Sequence, residues 1–438
     1  PKILRAEAGA SSVSLLPVAR GASTRSHPRV WVALGLALSG CSASTPAASA
    51  KPKSTATTLV NITYADTLFG NPRSGPLLQA MISDFNKSHP LIHVTPASVP
   101  FPTFAQTIAT QLGAGTGPDV IRFDTPDFYQ AAKAGLLSPL NKVIDAKKLG
   151  LLPGPDKFTT VGGKRYGVAS TTGPYTLLYN KDLLPTPPTT YSEFVADAKA
   201  QTKDGVYGLA FRTTLPEESG MWQDIFNYVY GFGGQWSDGK KLTLNSANVI
   251  KGLTSYQELY NDKVIPQGAT ASTYRTMFAA GKVAMEIDNG GTADNLKTIN
   301  PKLNLGAVTI PFPVTSTGET LAILGVNADS KYQQASDTFL TWLLTPASQR
   351  KLLNVAGAGG GVGTSTQRTA AEAKLVPLAP VFDTAAKTAV PQIVRGFEDQ
   401  TPIIRKIVIQ QVINALQGQE TMKAAMNEAQ KEAVAAVG

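Results

Sequence analysis

Two pairs of carboxylates stand close enough in the sequence to suggest acid–base chemistry. Asp124 and Asp127 are three positions apart, and Glu217 and Glu218 are adjacent. A glycosidase needs two such groups, about 5 Å apart for retention of configuration or about 6.5–9.5 Å apart for inversion. Carboxylates near the end of a strand equally accept hydrogen bonds from the hydroxyl groups of a bound ligand. The spacing therefore leaves both a glycoside-cleaving site and a hydroxyl-binding site open.

Other catalytic and metal-binding patterns are missing from the sequence. The chain has three histidines, His27, His89 and His93, and Pro90 separates the last two, so a shared helical face is not expected. Neither G-x-S-x-G nor H-E-x-x-H occurs. The stretch GAGGGVGTS at 357–365 lacks the Gly-Lys-Ser/Thr ending of a phosphate loop, and it predicts a flexible connection. We therefore expect no metal and no cofactor.

The single cysteine, Cys41, follows a short apolar run at residues 30–38. Basic residues precede this run and small residues follow it, which is typical of a secretory signal and too short for a membrane span. The tetrad LSGC at 38–41 resembles the lipobox of bacterial lipoproteins, in which the thiol receives a diacylglyceryl group and the chain is cleaved just before it. We therefore expect a signal region over 1–40 and a lipid on Cys41. The protein would then be exported and anchored at the outer face of the cytoplasmic membrane.

The net charge of +9 is concentrated near the N-terminus. Residues 1–40 contribute +4, and Lys51 and Lys53 add +2, so residues 59–438 carry only +3. A nucleic-acid-binding protein normally has a concentrated basic stripe. This distribution argues against nucleic acid as a partner. Residues 41–58 are rich in Ser, Thr, Ala and Pro without an apolar period, and they predict a flexible tether.

Beyond the tether, predicted strands alternate with predicted helices. Apolar runs predict strands at 58–64, at 118–123, within 168–179 and at 283–287. Helices are predicted from Pro126, after a capping box at Thr190, and over 402–416. This alternation predicts α/β layers with helices on both faces of the sheets. The pattern predicts a fold class but names no ligand.

Four segments of this region carry a family resemblance. They are GPDVIRFDTPDFYQAAKAGLLSPL (117–140), GKRYGVASTTGPYTLLYNKDLLPTPPTTYSEFVADAKA (163–200), FAAGKVAMEIDNG (278–290) and ASDTFLTWLLTPASQRKLL (335–353). In this order they resemble the bacterial extracellular solute-binding proteins of carbohydrate ABC importers, particularly the maltose/maltodextrin and trehalose branch. The similarity runs from about residue 60 to the C-terminus, and LLYNKDLLPTPPTTYSEF is its most specific part.

The resemblance implies a two-lobed periplasmic-binding-protein type II fold, with each lobe a mixed sheet flanked by helices. It places residues 59–170 and 313–365 in the N-terminal lobe and residues 171–312 and 366–438 in the C-terminal lobe, joined by crossover hinges. A sugar, expected to be a di- or short oligosaccharide, would lie in the cleft while the lobes close over it. The closed protein, expected to be a monomer without catalysis, would deliver the sugar to the ABC permease subunits in the membrane.

The resemblance and the chemistry of sugars together select eleven candidate ligand contacts. A pyranose offers an apolar face to aromatic rings and a rim of hydroxyls to carboxylates, amides and guanidinium groups. The candidates are Asp66, Phe123, Asp124, Asp127, Thr172, Tyr175, Glu217, Trp222, Trp236, Asn289 and Arg395. Phe123 and Trp222 could instead pack in the core. Asp127 could instead serve only as a negative charge at the start of a helix.

The sequence also departs from the maltose type. Where the family usually has Asn-Gly-Pro-Trp, this chain has DNGG at 288–291, so a tryptophan platform is absent. Gly173 replaces a carboxylate of the maltose type, and Ile404 and Arg405 replace its C-terminal aromatic pair. Fewer platforms argue against long maltodextrins and favour a small disaccharide or a more polar ligand. A secreted carbohydrate-active enzyme and a sensor lipoprotein are the alternative functions.

Overall fold

Residues 58–438 are the part of the chain that the computed structural model describes. The predicted signal region, Cys41 and nearly all of the predicted tether lie outside the described residues. The strands are β1 Val60–Ala65, β2 Ile92–Ala97, β3 Val120–Asp124, β4 Thr160–Val161, β5 Lys164–Arg165, β6 Gly167–Asn180, β7 Tyr207–Ala210, β8 Val283–Asn289, β9 Leu305–Val308, β10 Thr317–Val326, β11 Gly361–Val362 and β12 Ala389–Pro391. The α-helices are α1 Ser74–Ser88, α2 Phe101–Gly113, α3 Thr125–Lys133, α4 Pro153–Asp156, α5 Tyr191–Gln201, α6 Glu218–Gly231, α7 Ala247–Asn261, α8 Ala271–Ala279, α9 Gly290–Ile299, α10 Gln333–Leu343, α11 Pro346–Ala356, α12 Ala370–Lys374, α13 Ala379–Ala385, α14 Thr401–Leu416 and α15 Met422–Val437.

Strand β6 is shared by two halves of one mixed sheet. The strand order is β2-β1-β3-β10-β6-β8-β7, with β9, β11 and β12 pairing alongside. Residues 167–174 of β6 pair antiparallel with β10, whereas residues 175–180 pair with β8 and β9. We call β1, β2, β3, β10 and residues 167–174 of β6 the first half. Strands β7, β8 and β9 with residues 175–180 of β6 are the second half.

In the first half, side chains that alternate along the strands build a core on each face. Ile121 and Phe123 of β3 pack with helices α2 and α3, whereas Val120 belongs to the core with α1, α10 and α11. Arg122 and Asp124 therefore share a face of β3 with Val120. The predicted strand that leads into a helix at Pro126 is confirmed, since α3 begins directly after β3.

The second half is built in the same way. Leu177 packs in the core with helices α6, α7, α14 and α15, and the neighbouring Leu178 packs in the core with α8 and α9. The predicted capping box before α5 is confirmed, because the Thr190 hydroxyl accepts a hydrogen bond from the backbone amide of Glu193 at 3.2 Å. Helices thus cover both faces of this half as well. None of the helices within residues 58–438 is both long enough and apolar enough to cross a bilayer.

The glycine-rich stretch at 357–365 differs from its prediction as a flexible connection. Gly361 and Val362 form β11 and pair with Thr172 and Thr171 of β6. The backbone amide of Gly363 also donates to the carbonyl of Ser170 at 3.1 Å. A Cβ atom on Gly363 would lie 1.9 Å from the carbonyl oxygen of Ala169, so the close approach requires glycine. The glycines therefore place this stretch against the shared strand.

Candidate functional site

A cleft of about 230 Å³ is lined by residues of both halves of the sheet. Thr67 and Arg122 come from the first half, and Arg212 and Asn289 come from the second. Among the lining residues, all of which lie in the described part of the chain, Phe101 is the single aromatic. Concave sites that converge polar groups from two structural units are the usual place for ligands.

The end of β3 brings a charged pair to this cleft. Arg122 is buried and donates a hydrogen bond from Nη2 to the Thr171 hydroxyl at 3.0 Å. Its Nε atom lies 3.8 Å from Oδ2 of Asp66, which in turn accepts hydrogen bonds from the Tyr64 hydroxyl at 2.6 Å and the Leu68 amide at 2.8 Å. Asp66, at the end of the neighbouring β1, therefore supports the arginine.

Asp124 follows Arg122 by two residues and also lines the cleft. Burial raises the pKa of this carboxyl to about 6, and the nearby Asp127 adds to the rise while Arg122 and Arg405 oppose it. The group is therefore ionised at neutral pH but held in a poorly solvated position. A carboxylate of this kind gains most from hydrogen-bond donors on a bound molecule.

A second arginine, Arg212, lies in the opposite wall and pairs with Asp224. Arg212, which is 4% exposed, donates from Nη1 to Oδ1 of Asp224 at 2.6 Å, and its backbone amide donates to Oδ2 of the same carboxylate at 2.8 Å. The Tyr256 hydroxyl donates to the carbonyl oxygen of Arg212. These contacts fix the guanidinium group at the edge of the cleft.

The third arginine is held by two acids of β8. Arg275 donates from Nε to Glu286 at 2.9 Å and from Nη2 to Asp288, and the Asn289 amide donates to Asp288 at 2.7 Å. Burial raises the pKa of Glu286. Burial also acts to raise the pKa of Asp288, but Arg275 and Arg212 outweigh it, and the pKa is lowered. Glu286 is therefore the weaker acid of this pair, and Asp288 is the stronger.

Two further ion pairs connect elements of the two halves beside the cleft. Arg405 of α14 lies 3.4 Å from Asp127 of α3, and it also lies 2.9 Å from Glu218 of α6 within the second half. Arg73, next to α1, lies 3.5 Å from Asp294 of α9. Since α1 and α3 pack on the first half and α9 and α14 on the second, these contacts hold the halves together.

Three of the predicted contacts line the cleft, and two more support lining residues. Asp124, Thr172 and Asn289 are lining residues. Asp66 lies behind Arg122, and the Tyr175 hydroxyl donates to Oε1 of the lining residue Gln223 at 2.8 Å. The five are thus brought together, while their contact with a ligand stays a prediction.

The predicted aromatic platforms lie in hydrophobic cores. Trp222 and Trp236 are 1% and 0% exposed and stack on each other with ring centroids 4.8 Å apart. Phe123 is 2% exposed and packs against Phe128. None of these three rings lines the cleft. Phe123 and Trp222 therefore occupy core positions, as the competing interpretation of these two residues expected. The apolar face of each element points into a core.

The remaining predicted contacts are also engaged away from the lining. Asp127 pairs with Arg405, and Glu217 accepts a hydrogen bond from the backbone amide of Ala271 at 2.9 Å at the start of α8. Arg395 donates to the carbonyl of Asp238 at 2.7 Å. Each of these charges satisfies backbone or ionic partners, so the structure gives each one a local role.

Sequence reasoning missed the three lining arginines, Arg122, Arg212 and Arg275. Arg122 carried a usable signal, because a charged residue inside the apolar strand VIRFD must be paired or face a polar cavity. The sequence around Arg275 and Arg212 carried no such signal, because only the folded chain brings these residues to their partners.

Comparison with known proteins agrees with this architecture. Residues 80–389 match the family model described as bacterial extracellular solute-binding protein. A Brucella abortus (strain 2308) binding protein is 24% identical over 274 residues, a match that spans 57% of this chain and 63% of that protein. The maltodextrin-binding protein MdxE of Bacillus subtilis (strain 168) is 27% identical over 336 residues, covering 71% of this chain and 73% of MdxE.

A solved structure shows the same fold. The GacH receptor of Streptomyces glaucescens GLA.O, studied unliganded and with acarbose, superimposes with a TM-score of 0.75 at 22% identity, covering 85% of this chain and 97% of that one. The predicted α/β fold of the periplasmic-binding-protein type, with mixed sheets flanked by helices, is thereby confirmed. Since the family model spans most of the chain, this protein belongs to the bacterial extracellular solute-binding proteins.

Proposed function

We propose that this protein is the extracellular sugar-binding subunit of an ABC importer. It captures a sugar in the cleft between the halves and delivers it to the membrane permease. The observation that carries the proposal is the cleft itself, which converges Arg122, Asp124 and Thr172 from the first half with Arg212 and Asn289 from the second. Guanidinium, carboxylate, hydroxyl and amide groups are the partners that a polyol requires.

The relatives support a saccharide as the ligand class. MdxE is named for maltodextrin, and GacH was studied with acarbose. The single aromatic in the lining, Phe101, supports a di- or short oligosaccharide in preference to a long chain, because stacking platforms hold successive sugar rings. The sugar is bound by hydrogen bonds more than by stacking.

The two halves correspond to the lobes, except that residues 171–174 of β6 pair with the first half and fall in the C-terminal lobe by sequence. The N-terminal lobe comprises residues 59–170 and 313–365, and the C-terminal lobe comprises residues 171–312 and 366–438. The packing of α10 and α11 on the first half, and of α14 and α15 on the second, supports this division. Ligand binding favours the closed state by contacting both lobes at once.

Binding without catalysis is favoured over a carbohydrate-active enzyme. Glu217 binds the amide of Ala271, and Glu218 and Asp127 bind Arg405. Each of the two candidate catalytic carboxylate pairs therefore has at least one member that is already bound to another group of the protein.

Calorimetry against a panel of neutral mono-, di- and trisaccharides tests the proposal. We expect at least one sugar to bind, to raise the melting temperature and to reduce the radius of gyration in X-ray scattering, because it stabilises only the closed native state. A parallel assay for released reducing sugar should stay at background. Release of reducing sugar would favour the enzyme, and failure of every sugar to bind would refute sugar binding.

An uptake experiment in cells distinguishes an importer subunit from a sensor. Deletion of the gene should abolish uptake of the sugar identified by calorimetry, measured with radiolabel. Unchanged uptake with altered transcription of sugar genes would instead identify a sensor lipoprotein.

The lipid anchor at Cys41 is tested separately. In a bacterial host with lipoprotein-processing enzymes, we expect the full chain to sediment with membranes, while Cys41→Ser moves to the soluble exported fraction because the acyl chains are lost. The control variant Ser42→Ala should stay in the membrane fraction. Membrane association of Cys41→Ser would contradict the anchor.

A further inference from the structure

Every arginine that lines the cleft already has a carboxylate partner. Arg122 pairs with Asp66, Arg212 pairs with Asp224, and Arg275 pairs with Glu286 and Asp288. Their positive charges are therefore largely balanced within the protein. Each guanidinium group still has N–H donors beyond those used in these pairs, because it carries five.

Asp124 is different from those partner carboxylates. Within residues 58–438, no side chain or amide donates a hydrogen bond to its carboxylate, and no lysine or arginine nitrogen lies within 4.0 Å of it. Although it precedes α3 as the capping residue, its side chain makes no cap hydrogen bond. Its oxygens are thus available as acceptors at the wall of the cleft.

The charges around Asp124 are balanced between two acids and two arginines. Asp127 and Asp66 are near enough to influence its charge, and the two nearest cations, Arg122 and Arg405, are paired with those same acids. A ligand hydroxyl or amino group can donate to Asp124 while its other oxygens accept from the arginines. A ligand carboxylate would instead bring a second negative charge beside Asp124, with no unpaired guanidinium group to neutralise it.

We propose that Asp124 determines specificity by selecting neutral and amino sugars against acidic sugars such as uronates. This inference rests on the proposed sugar-binding function of the same cleft. Arg122, two residues earlier on the same face of β3, supplies the complementary donor. The pair therefore recognises a polyol edge that both donates and accepts hydrogen bonds.

Calorimetry with matched sugars tests the inference. The probes are glucose, galactose, maltose and lactose, the amino sugars glucosamine and galactosamine, and the acids glucuronate and galacturonate. For the wild type, we expect a neutral or amino sugar to bind tightest and its uronate counterpart to bind at least about tenfold more weakly. In Asp124→Asn, the uronate should gain at least about tenfold relative to the neutral sugar, because the like charge is removed.

Two further variants test whether the change in sugar preference comes from the charge of Asp124. Asp329→Asn removes an exposed carboxylate of the first half outside the cleft and should leave the neutral-to-acid ratio unchanged. Asp124→Ser removes the charge with a smaller side chain and should shift the ratio in the same direction as Asp124→Asn. Melting curves confirm that each variant is folded.

The outcomes separate this inference from the proposed function. Tightest binding of a uronate by the wild type, or an unchanged ratio in both folded Asp124 variants, would overturn the role of Asp124 and leave sugar binding intact. Absence of binding to every probe and to the neutral panel would overturn sugar binding, and the inference with it.

Discussion

Replacing Arg212 with methionine is expected to lower the free energy of unfolding by about 3–5 kcal/mol, because it leaves a buried carboxylate without its cation. Asp224 is 5% exposed, and Arg212 supplies two of its hydrogen bonds, one from the guanidinium group and one from the backbone amide. Urea denaturation at pH 7.5 measures the effect. Sugar binding should be lost in the same variant, since Arg212 lines the cleft.

The double variant Arg212→Met/Asp224→Leu is the matched control for stability. Removing both charges eliminates the buried, unpaired carboxylate, so most of the lost stability should return, while sugar binding should not. A single Arg212→Met variant that is as stable as the wild type would contradict the ion pair described here.

Replacing Trp222 with alanine is expected to lower the free energy of unfolding by about 3–5 kcal/mol without a direct effect on the ligand. The ring stacks on Trp236, and its Nε1 donates to the carbonyl of Gln392 at 3.1 Å. The lost contacts therefore belong to the core of the second half. Urea denaturation measures stability, and calorimetry at a temperature well below melting measures the Kd.

The milder variant Trp222→Phe and the cleft variant Phe101→Ala provide the contrast. Trp222→Phe should be folded and keep the Kd within about twofold, whereas Phe101→Ala should weaken binding about tenfold with little loss of stability, because Phe101 lines the cleft. A large increase in Kd for Trp222→Phe without loss of stability would support the predicted stacking of sugar on Trp222.

The fold was largely predictable because its signals are local. The apolar runs that became β3 and β6, the proline near the start of α3 and the capping box of α5 are each contained in a short window of sequence. Helix α2 was not predicted, because its three threonines weaken its helical pattern. The order of these elements, together with the family resemblance, predicted the architecture.

The site was predictable only where polar residues stand at strand ends. Asp124 and Asn289 end β3 and β8, and both positions lie close to the middle of β6, where the two halves join. An aromatic such as Trp222 gives no comparable signal, since the same helical spacing suits a core and a binding face. The arginine pairs depend on residues far apart in sequence, such as Asp66 with Arg122, which only the folded chain brings together.

The continuity of β6 across both halves has a mechanical consequence. Its 14 residues are bonded to β10 at one end and to β8 and β9 at the other, and the pairing with β10 shifts register at Ser170, which has no partner on β10. If the halves rotate against each other in the proposed closure, the rotation must be absorbed as a change of twist along this strand and at its bulge. Such elastic deformation is reversible and resists overextension. The proposed closure therefore needs no loose linker at this position.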